Sequence, residues 1–192
     1  MWLQFQYEKI LHKQSNPGPE VTPTFGNPNG NKECHLMKKI DYRKAVAQDI
    51  TDLIELRIQQ LKDEGYPETN NIRTDLNEYF LNHISNNSSN NSSNNSLICW
   101  VGTYQNRIIA TAGLCIYQLP PTFSNPSGKI AYLTNIYTAD EYRKNGIASY
   151  LIETLLNEAN TRNFSGVRLH ASELGQSVYK KLGFNETRDI WI

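Results

Sequence analysis

The chain has 192 residues, enough for one domain that buries roughly 70 % of its unfolded surface without disulfide or metal staples. Its 19 Lys and Arg balance 19 Asp and Glu, and a net charge of zero excludes the basic surplus that a general nucleic-acid binder or an anionic-membrane binder needs. Apolar residues make up only 39 %, but the 22 Asn that dilute them are clustered, so the shortfall is local.

Residues 1–36, with the run NPGPEVTPTFGNPNGN, are rich in Pro, Gly and Asn and read as a disordered or loosely attached arm, with at most a short helix over 3–11. The opening MWLQFQYEKILHKQ lacks the continuous apolar stretch of a signal peptide, and the longest apolar run, 108–117, is too short to span a bilayer. A reduced, cytoplasmic location and no membrane partner are therefore expected. Cys34, Cys99 and Cys115 form neither a disulfide framework nor a zinc set, since Cys34-His35 has no second ligand pair; no metal site is expected.

The compact domain is expected to run from Met37 to Ile192. A strand over 39–44 comes first. Asp49 can then cap a helix over 50–62 that places Ile50, Leu53, Ile54, Ile58 and Leu61 on one face and stops at Gly65. Arg57 lies on that same stripe, where it either binds an anionic group of a substrate or packs its stem and snorkels. A second helix starts at Thr74, with Leu76, Tyr79, Phe80 and Ile84 as its stripe. Residues 85–96, SNNSSNNSSNNS, cannot bury anything and read as a low-complexity insertion in a surface loop, where extra length costs little.

Strands over 97–104 and 107–117 form a hairpin about Gln105-Asn106. After the loop LPPTFSNPSG comes a strand over 130–138, then a long helix over 146–160 that buries Ile147, Ala148, Leu151, Ile152, Leu155 and Ala159. A short strand over 166–170, a helix over 173–182 closed by Gly183 and a last strand over 184–192 complete the pattern. Hairpins mixed with one long crossover helix predict an α/β or α+β domain around a mixed sheet.

Between the 130–138 strand and the long helix lies Tyr142-Arg143-Lys144-Asn145-Gly146-Ile147-Ala148. Arg143-x-x-Gly146-x-Ala148 puts a small residue where the backbone turns into the helix, so the amides of 144–148 can face one point with the helix dipole behind them. Such a point suits a pyrophosphate, and Arg143 and Lys144 add positive charge. On its own the turn is also compatible with a plain strand-to-helix connection. A dinucleotide fingerprint and a P-loop are both absent.

A second motif gives the turn its context: Leu169-His170-Ala171-Ser172-Glu173-Leu174-Gly175-Gln176-Ser177-Val178-Tyr179, followed by Gly183-Phe184. Together with Asn135-Ile136-Tyr137-Thr138, the two motifs make residues 37–192 resemble the GCN5-related N-acetyltransferase (GNAT) superfamily, in particular its bacterial-type small-molecule branch. The resemblance implies a mostly antiparallel sheet flanked by helices and splayed between its fourth and fifth strands, 130–138 and 166–170. It implies acetyl-CoA in that opening, with Ile136, Tyr137 and Thr138 offering a strand edge to the pantetheine arm. Arg143, Lys144, Asn145, Gly146, Ile147 and Ala148 would hold the pyrophosphate, and Asn135 and Arg57 would face the acceptor.

The implied reaction is attack of a neutral amine on a thioester carbonyl, with a backbone amide near Ile136 stabilising the oxygen. Tyr179 is the expected general acid for the leaving thiolate. Leu174, Val178 and Leu182 form the buried stripe of its helix, and Tyr179 falls at the edge of that stripe. The family often carries a Glu on its fourth strand, but here that strand reads Leu133-Thr134-Asn135. His170 is the remaining base candidate, with a structural histidine as the alternative. Ser172 either caps the last helix or touches the cofactor. The expected partners are acetyl-CoA and the primary amine of a small molecule. A protein amine as acceptor and a non-catalytic acyl-CoA-binding module are the competing readings, and a homodimer stays open.

Overall fold

The computed structural model describes residues 3–8, 39–84, 96–123, 125–164, 166–173 and 175–187. Among the described residues, seven strands form one sheet: β1 (Leu3–Glu8), β2 (Asp41–Lys44), β3 (Leu97–Tyr104), β4 (Arg107–Gln118), β5 (Lys129–Thr138), β6 (Gly166–Ala171) and β7 (Asn185–Glu186). Their spatial order is β2-β3-β4-β5-β6-β1-β7, and every pairing is antiparallel except β5 with β6. Four α-helices among the described residues flank it: α1 (Ile50–Asp63), α2 (Arg73–Ile84), α3 (Ile147–Thr161) and α4 (Gln176–Lys181). None is long and apolar enough to cross a membrane, among the described residues.

The strand period of two sorts the core into two faces. Leu97, Cys99 and Val101 pack with Ile50, Leu53, Ile54, Phe80 and Ile84 from α1 and α2. Ile98, Leu114, Leu133, Val167 and Leu169 pack on the opposite side with Ile147, Leu151, Ile152, Leu155 and Ala159 from α3. The β3–β4 hairpin turns at Gln105 and Asn106, both at positive φ, as the twist of a two-residue hairpin demands.

Three of the helices, α1, α3 and α4, stop by one recurring device. At Gly65, Asn163 and Gly183 the backbone enters the left-handed region. In each case the next residue's amide reaches back to the last helical turn: Tyr66 to Leu61 O, Phe164 to Ala159 O and Phe184 to Tyr179 O. These are Schellman caps, which satisfy the orphan carbonyls and turn the chain back toward the sheet.

Three expectations are corrected. The first concerns the arm: Leu3–Glu8 is not loosely attached but a strand paired with β6 from Leu3↔Ala171 to Glu8↔Gly166. Its alternation Leu3-Gln4-Phe5-Gln6-Tyr7-Glu8 is a strand pattern, and Phe5 is fully buried. The expected strands four and five are therefore β5 and β6. The second concerns Asp49, which occupies the N-cap position of α1 without a side-chain cap bond. Its carboxylate instead accepts from Val46 N at 2.8 Å and from Arg43. The third concerns the last two elements. The helix is shorter than 173–182, and the final strand spans two residues; 188–192, 9–38, 85–95 and Leu174 lie outside the described residues.

Candidate active site

The parallel pairing of β5 with β6 consists of Ala131↔Val167 and Tyr132↔Arg168. Beyond Tyr132 the two strands share no register, so the sheet parts along residues 133–138. A β-bulge in β5 accompanies the parting. The β4 register steps from Gly113↔Thr134 to Thr111↔Tyr137, which leaves Asn135 and Ile136 without partner residues on β4. Asn135 sits at φ +55°, a conformation that Asn tolerates better than other side chains. A bulge of this kind bends its strand and breaks the ladder locally.

The turn beyond β5 is built as its sequence suggests, with one difference. Lys144 (φ +63°) and Gly146 (φ +78°) are both left-handed, and Gly146 is the N-cap of α3. Asn145 braces the turn from inside, its Nδ2 donating to Tyr142 O at 3.0 Å and Arg143 O at 3.1 Å. No side chain caps α3, and its first backbone bond runs from Tyr150 N to Gly146 O. The amides of Ile147, Ala148 and Ser149 thus precede the helix's own ladder, as an anion site requires. Ile147 is buried, whereas Lys144 is exposed. The difference lies at Arg143. Its guanidinium is engaged by Asp63 at 2.5 Å, Asp140 at 3.0 Å and Thr138 O at 2.9 Å, so much of its charge is already balanced.

At the end of β5, Tyr137 and Thr138 are buried and Ile136 is half-buried. Burial, with Asp63 beside it, pushes the Tyr137 phenol up to about 12; its Oη donates to Asp63 Oδ2 at 2.8 Å. The Thr138 hydroxyl is buried with no hydrogen-bond partner among the described residues. Ile136 O accepts from Gln60 Nε2 at 3.4 Å.

Tyr179 is the buried residue of α4 rather than an edge residue, while Val178 and Leu182 are only half-buried. The reason is aromatic packing. The Tyr179 ring stands 6.3 Å from Phe5 and 5.8 Å edge-on from Phe184, centroid to centroid. Gly175 leaves room for it, since a Cβ there would lie 2.9 Å from the Tyr179 ring. Burial pushes the Tyr179 phenol well above its usual range, and the nearby acidic groups Glu64 and Tyr132 push in the same direction. Those two neighbours belong to the end of α1 and to β5.

His170 is exposed at the end of β6, and its Nδ1 lies 2.6 Å from Tyr132 Oη. Burial raises the Tyr132 phenol, and a hydrogen bond from the His170 backbone opposes that shift. Ser172 serves through its backbone: its carbonyl accepts from Gly175 N and Gln176 N, and no side chain caps α4. Arg57 is half-buried and donates to Gln60 Oε1 at 3.1 Å; the buried polar residue of α1 is Gln60 itself.

The structure therefore gathers Asn135 to Thr138, Arg143 to Ala148, Tyr179 and His170 around the two parting strands. Sequence reasoning missed Tyr132, Gln60 and Asp63. The residue Tyr132 aligns across β5 and β6 with Arg168, two before His170, a relation visible only once the register is known. Asp63 meets Arg143 across 80 positions, which no local pattern encodes.

Comparison with known proteins bears on this arrangement. The acetyltransferase (GNAT) family model matches residues 54–184. A structure described as a predicted acetyltransferase with acetyl-CoA, from Clostridium acetobutylicum, is 40 % identical, with a TM-score of 0.71 over 80 % of this chain and 94 % of that one. A GCN5-related N-acetyltransferase from Ralstonia eutropha is 21 % identical, at 0.67 over 80 % and 97 %. Glucosamine-6-phosphate N-acetyltransferase from Arabidopsis thaliana is 17 % identical, at 0.60 over 80 % and 95 %; these last two likenesses speak for the fold alone. No curated protein matches by sequence. A family match over most of the sheet and its turn, and a relative at 40 % identity over most of the chain, place this protein in the GNAT acetyltransferase family.

Proposed function

We propose that the protein is a cytoplasmic N-acetyltransferase that moves an acetyl group from acetyl-CoA directly to the primary amine of a small molecule. The observation that carries the donor assignment is the parting of β5 from β6 beside the uncapped start of α3. The 40 % identical Clostridium structure, which contains acetyl-CoA, supports the same donor. The free edge of β5 suits the amide-bearing pantetheine arm, and the amides of 147–149 suit the pyrophosphate. The zero net charge, which offers no field for a polyionic protein partner, favours a small acceptor.

Acetyl-CoA supplies a thioester carbonyl. His170 accepts the amine's proton through Nε2 in the tautomer whose Nδ1–H donates to Tyr132 Oη. The bulge presents backbone amides at Asn135 and Ile136 where charge grows on the carbonyl oxygen. Tyr179 remains protonated at neutral pH because its environment raises it, so it serves as a donor and not as a base. Against a thiol of ordinary pKa near 8.5 that shift makes proton loss uphill at every stage. Its hydroxyl therefore hydrogen-bonds the departing sulfur, and transfer completes as the amine's proton held on His170, or one from water, restores the phenol.

Two measurements test this reading. A thermal-shift series with acetyl-CoA, CoA, NAD and ATP should show stabilisation by the first two, worth about 2.7 kcal/mol at 100 times Kd. Tyr179→Phe should retain that shift while turnover with an amine panel falls by roughly 10²–10⁴-fold. Stabilisation by NAD alone would refute the donor, and full turnover in Tyr179→Phe would refute the acid.

A further inference from the structure

The C-terminal half of α1 is tied to β5 and to the turn before α3 through one set of side chains. Asp63 is its centre. Oδ2 accepts from Tyr137 Oη at 2.8 Å and from Arg143 Nη2 at 2.5 Å, and Oδ1 accepts from Gln59 Nε2 at 2.7 Å. Arg143 is fixed from three further sides: Nε donates to Thr138 O, Nη1 to Asp140, and the guanidinium lies 5.3 Å from the Tyr137 ring centre. One helical turn before Asp63, Gln60 reaches Ile136 O. The side chains of Asp63 and Arg143 are 26 % and 32 % exposed, so the pair is partly shielded from the solvent that weakens surface ion pairs. Burial would raise the Asp63 carboxyl, but Gln59, Arg143 and Tyr137 outweigh it and hold the group below the usual carboxylate range.

The position of this network matters more than its strength. The backbone of Arg143 leads straight into left-handed Lys144 and on to Gly146, the turn whose amides face the donor's pyrophosphate in the function proposed above. On the other side, α1 carries Arg57, Gln60 and, at its end, Glu64, which lies within electrostatic reach of Tyr179. We propose that Asp63 is a positioning residue that couples the two: through Arg143 and Tyr137 it sets the shape of the donor turn, and donor binding in turn fixes α1 beside the reacting groups. Coupling of this kind is reciprocal, and couplings between sites commonly amount to about 5- to 150-fold in affinity. The inference rests on the donor-site reading of the 143–148 turn.

The sign of the effect separates this role from simple electrostatics. Removing a carboxylate near a polyanionic ligand, and freeing an arginine, should tighten binding if charge alone counts. Under the coupling, Asp63→Asn loosens the turn and weakens acetyl-CoA binding by about tenfold, within the usual range of such couplings. The double variant with Arg143→Gln then binds no worse than Arg143→Gln alone, because both changes break one linkage. Asp63→Glu restores part of the affinity. Tyr137→Phe, which keeps the ring beneath Arg143 and removes only one bond to Asp63, gives a smaller loss in the same direction and stands in should Asp63→Asn fail to fold.

Titration calorimetry gives the Kd values, and hydrogen exchange reads the second site: acetyl-CoA should slow exchange over 57–64 in the native protein and lose that effect in Asp63→Asn. Binding by Asp63→Asn as tight as or tighter than the native protein's overturns the coupling while leaving the donor site standing. Absence of acetyl-CoA binding in the native protein overturns both.

Discussion

Asn135 stands at φ +55° inside a strand, where a β-branched residue would clash with its own backbone. The strain is confined to one position, and it lets β5 run in register with β4 up to Thr134 and again from Tyr137. Asn135→Val should therefore destabilise the protein by about 1–2 kcal/mol, whereas Asn135→Gly should stay within several tenths, both read from urea midpoints. Equal losses in the two variants would mean that the left-handed conformation is not what Asn135 provides. A buried carboxylate gives a second residue-level test. Asp49 is held below the usual carboxylate range, chiefly by its hydrogen bonds from Arg43 and against the cost of burial. A folded pKa below the unfolded value of about 3.9 adds stability above that pH and forfeits it as pH falls through the folded value. Urea midpoints should thus fall steeply below about pH 4, and Asp49→Asn should flatten that slope while lowering the midpoint at pH 7.

Among the elements, β1 matters most for the site and was hardest to read. It forms six register pairs with β6, while β6 forms two with β5, so the far wall of the opening is held mainly by the strand at the start of the chain. Phe5 is fully buried and lies against Tyr179, so β1 also shapes the environment of the proposed acid. Phe5→Ala should cost about 3–5 kcal/mol of stability by denaturant titration, and it should raise acid-side turnover loss beyond what the lower stability explains. A cost under 1 kcal/mol would mean that β1 is dispensable. The Leu-Gln-Phe-Gln-Tyr-Glu alternation was available in the sequence, but a six-residue strand beside a long Pro- and Gly-rich run has no neighbour in sequence to pair with. Elements with local partners were legible for the opposite reason. The β3–β4 hairpin, the stripe of α3 and the stops at Gly65 and Gly183 depend on residues a few positions apart. Tyr179 was legible in place but not in degree, because the ring that buries it from one side, Phe5, comes from the other end of the chain.

The whole molecule is built on a sheet that is continuous at one end and parted at the other, with α1 and α2 on one face, α3 on the opposite face and the proposed donor turn at the parted end. The turn and the Gly183 stop were legible because each is short and carries its glycine in the sequence. The parting, the bulge at Asn135 and the Asp63–Arg143 tie were not, since each arises only when distant strands and helices meet. The zero net charge likewise conceals local order: at the turn Arg143 is already balanced by Asp63 and Asp140, which leaves Lys144 and the helix amides to meet an anion. Backbone hydrogen exchange with and without acetyl-CoA decides whether the parted strands and the turn before α3 hold the donor. Exchange should slow at the amides of 133–138 and 144–149. Protection confined to the groove between α3 and α4, lined by Tyr7, Glu153, Asn157 and Lys181, with none at those two segments, would contradict that placement.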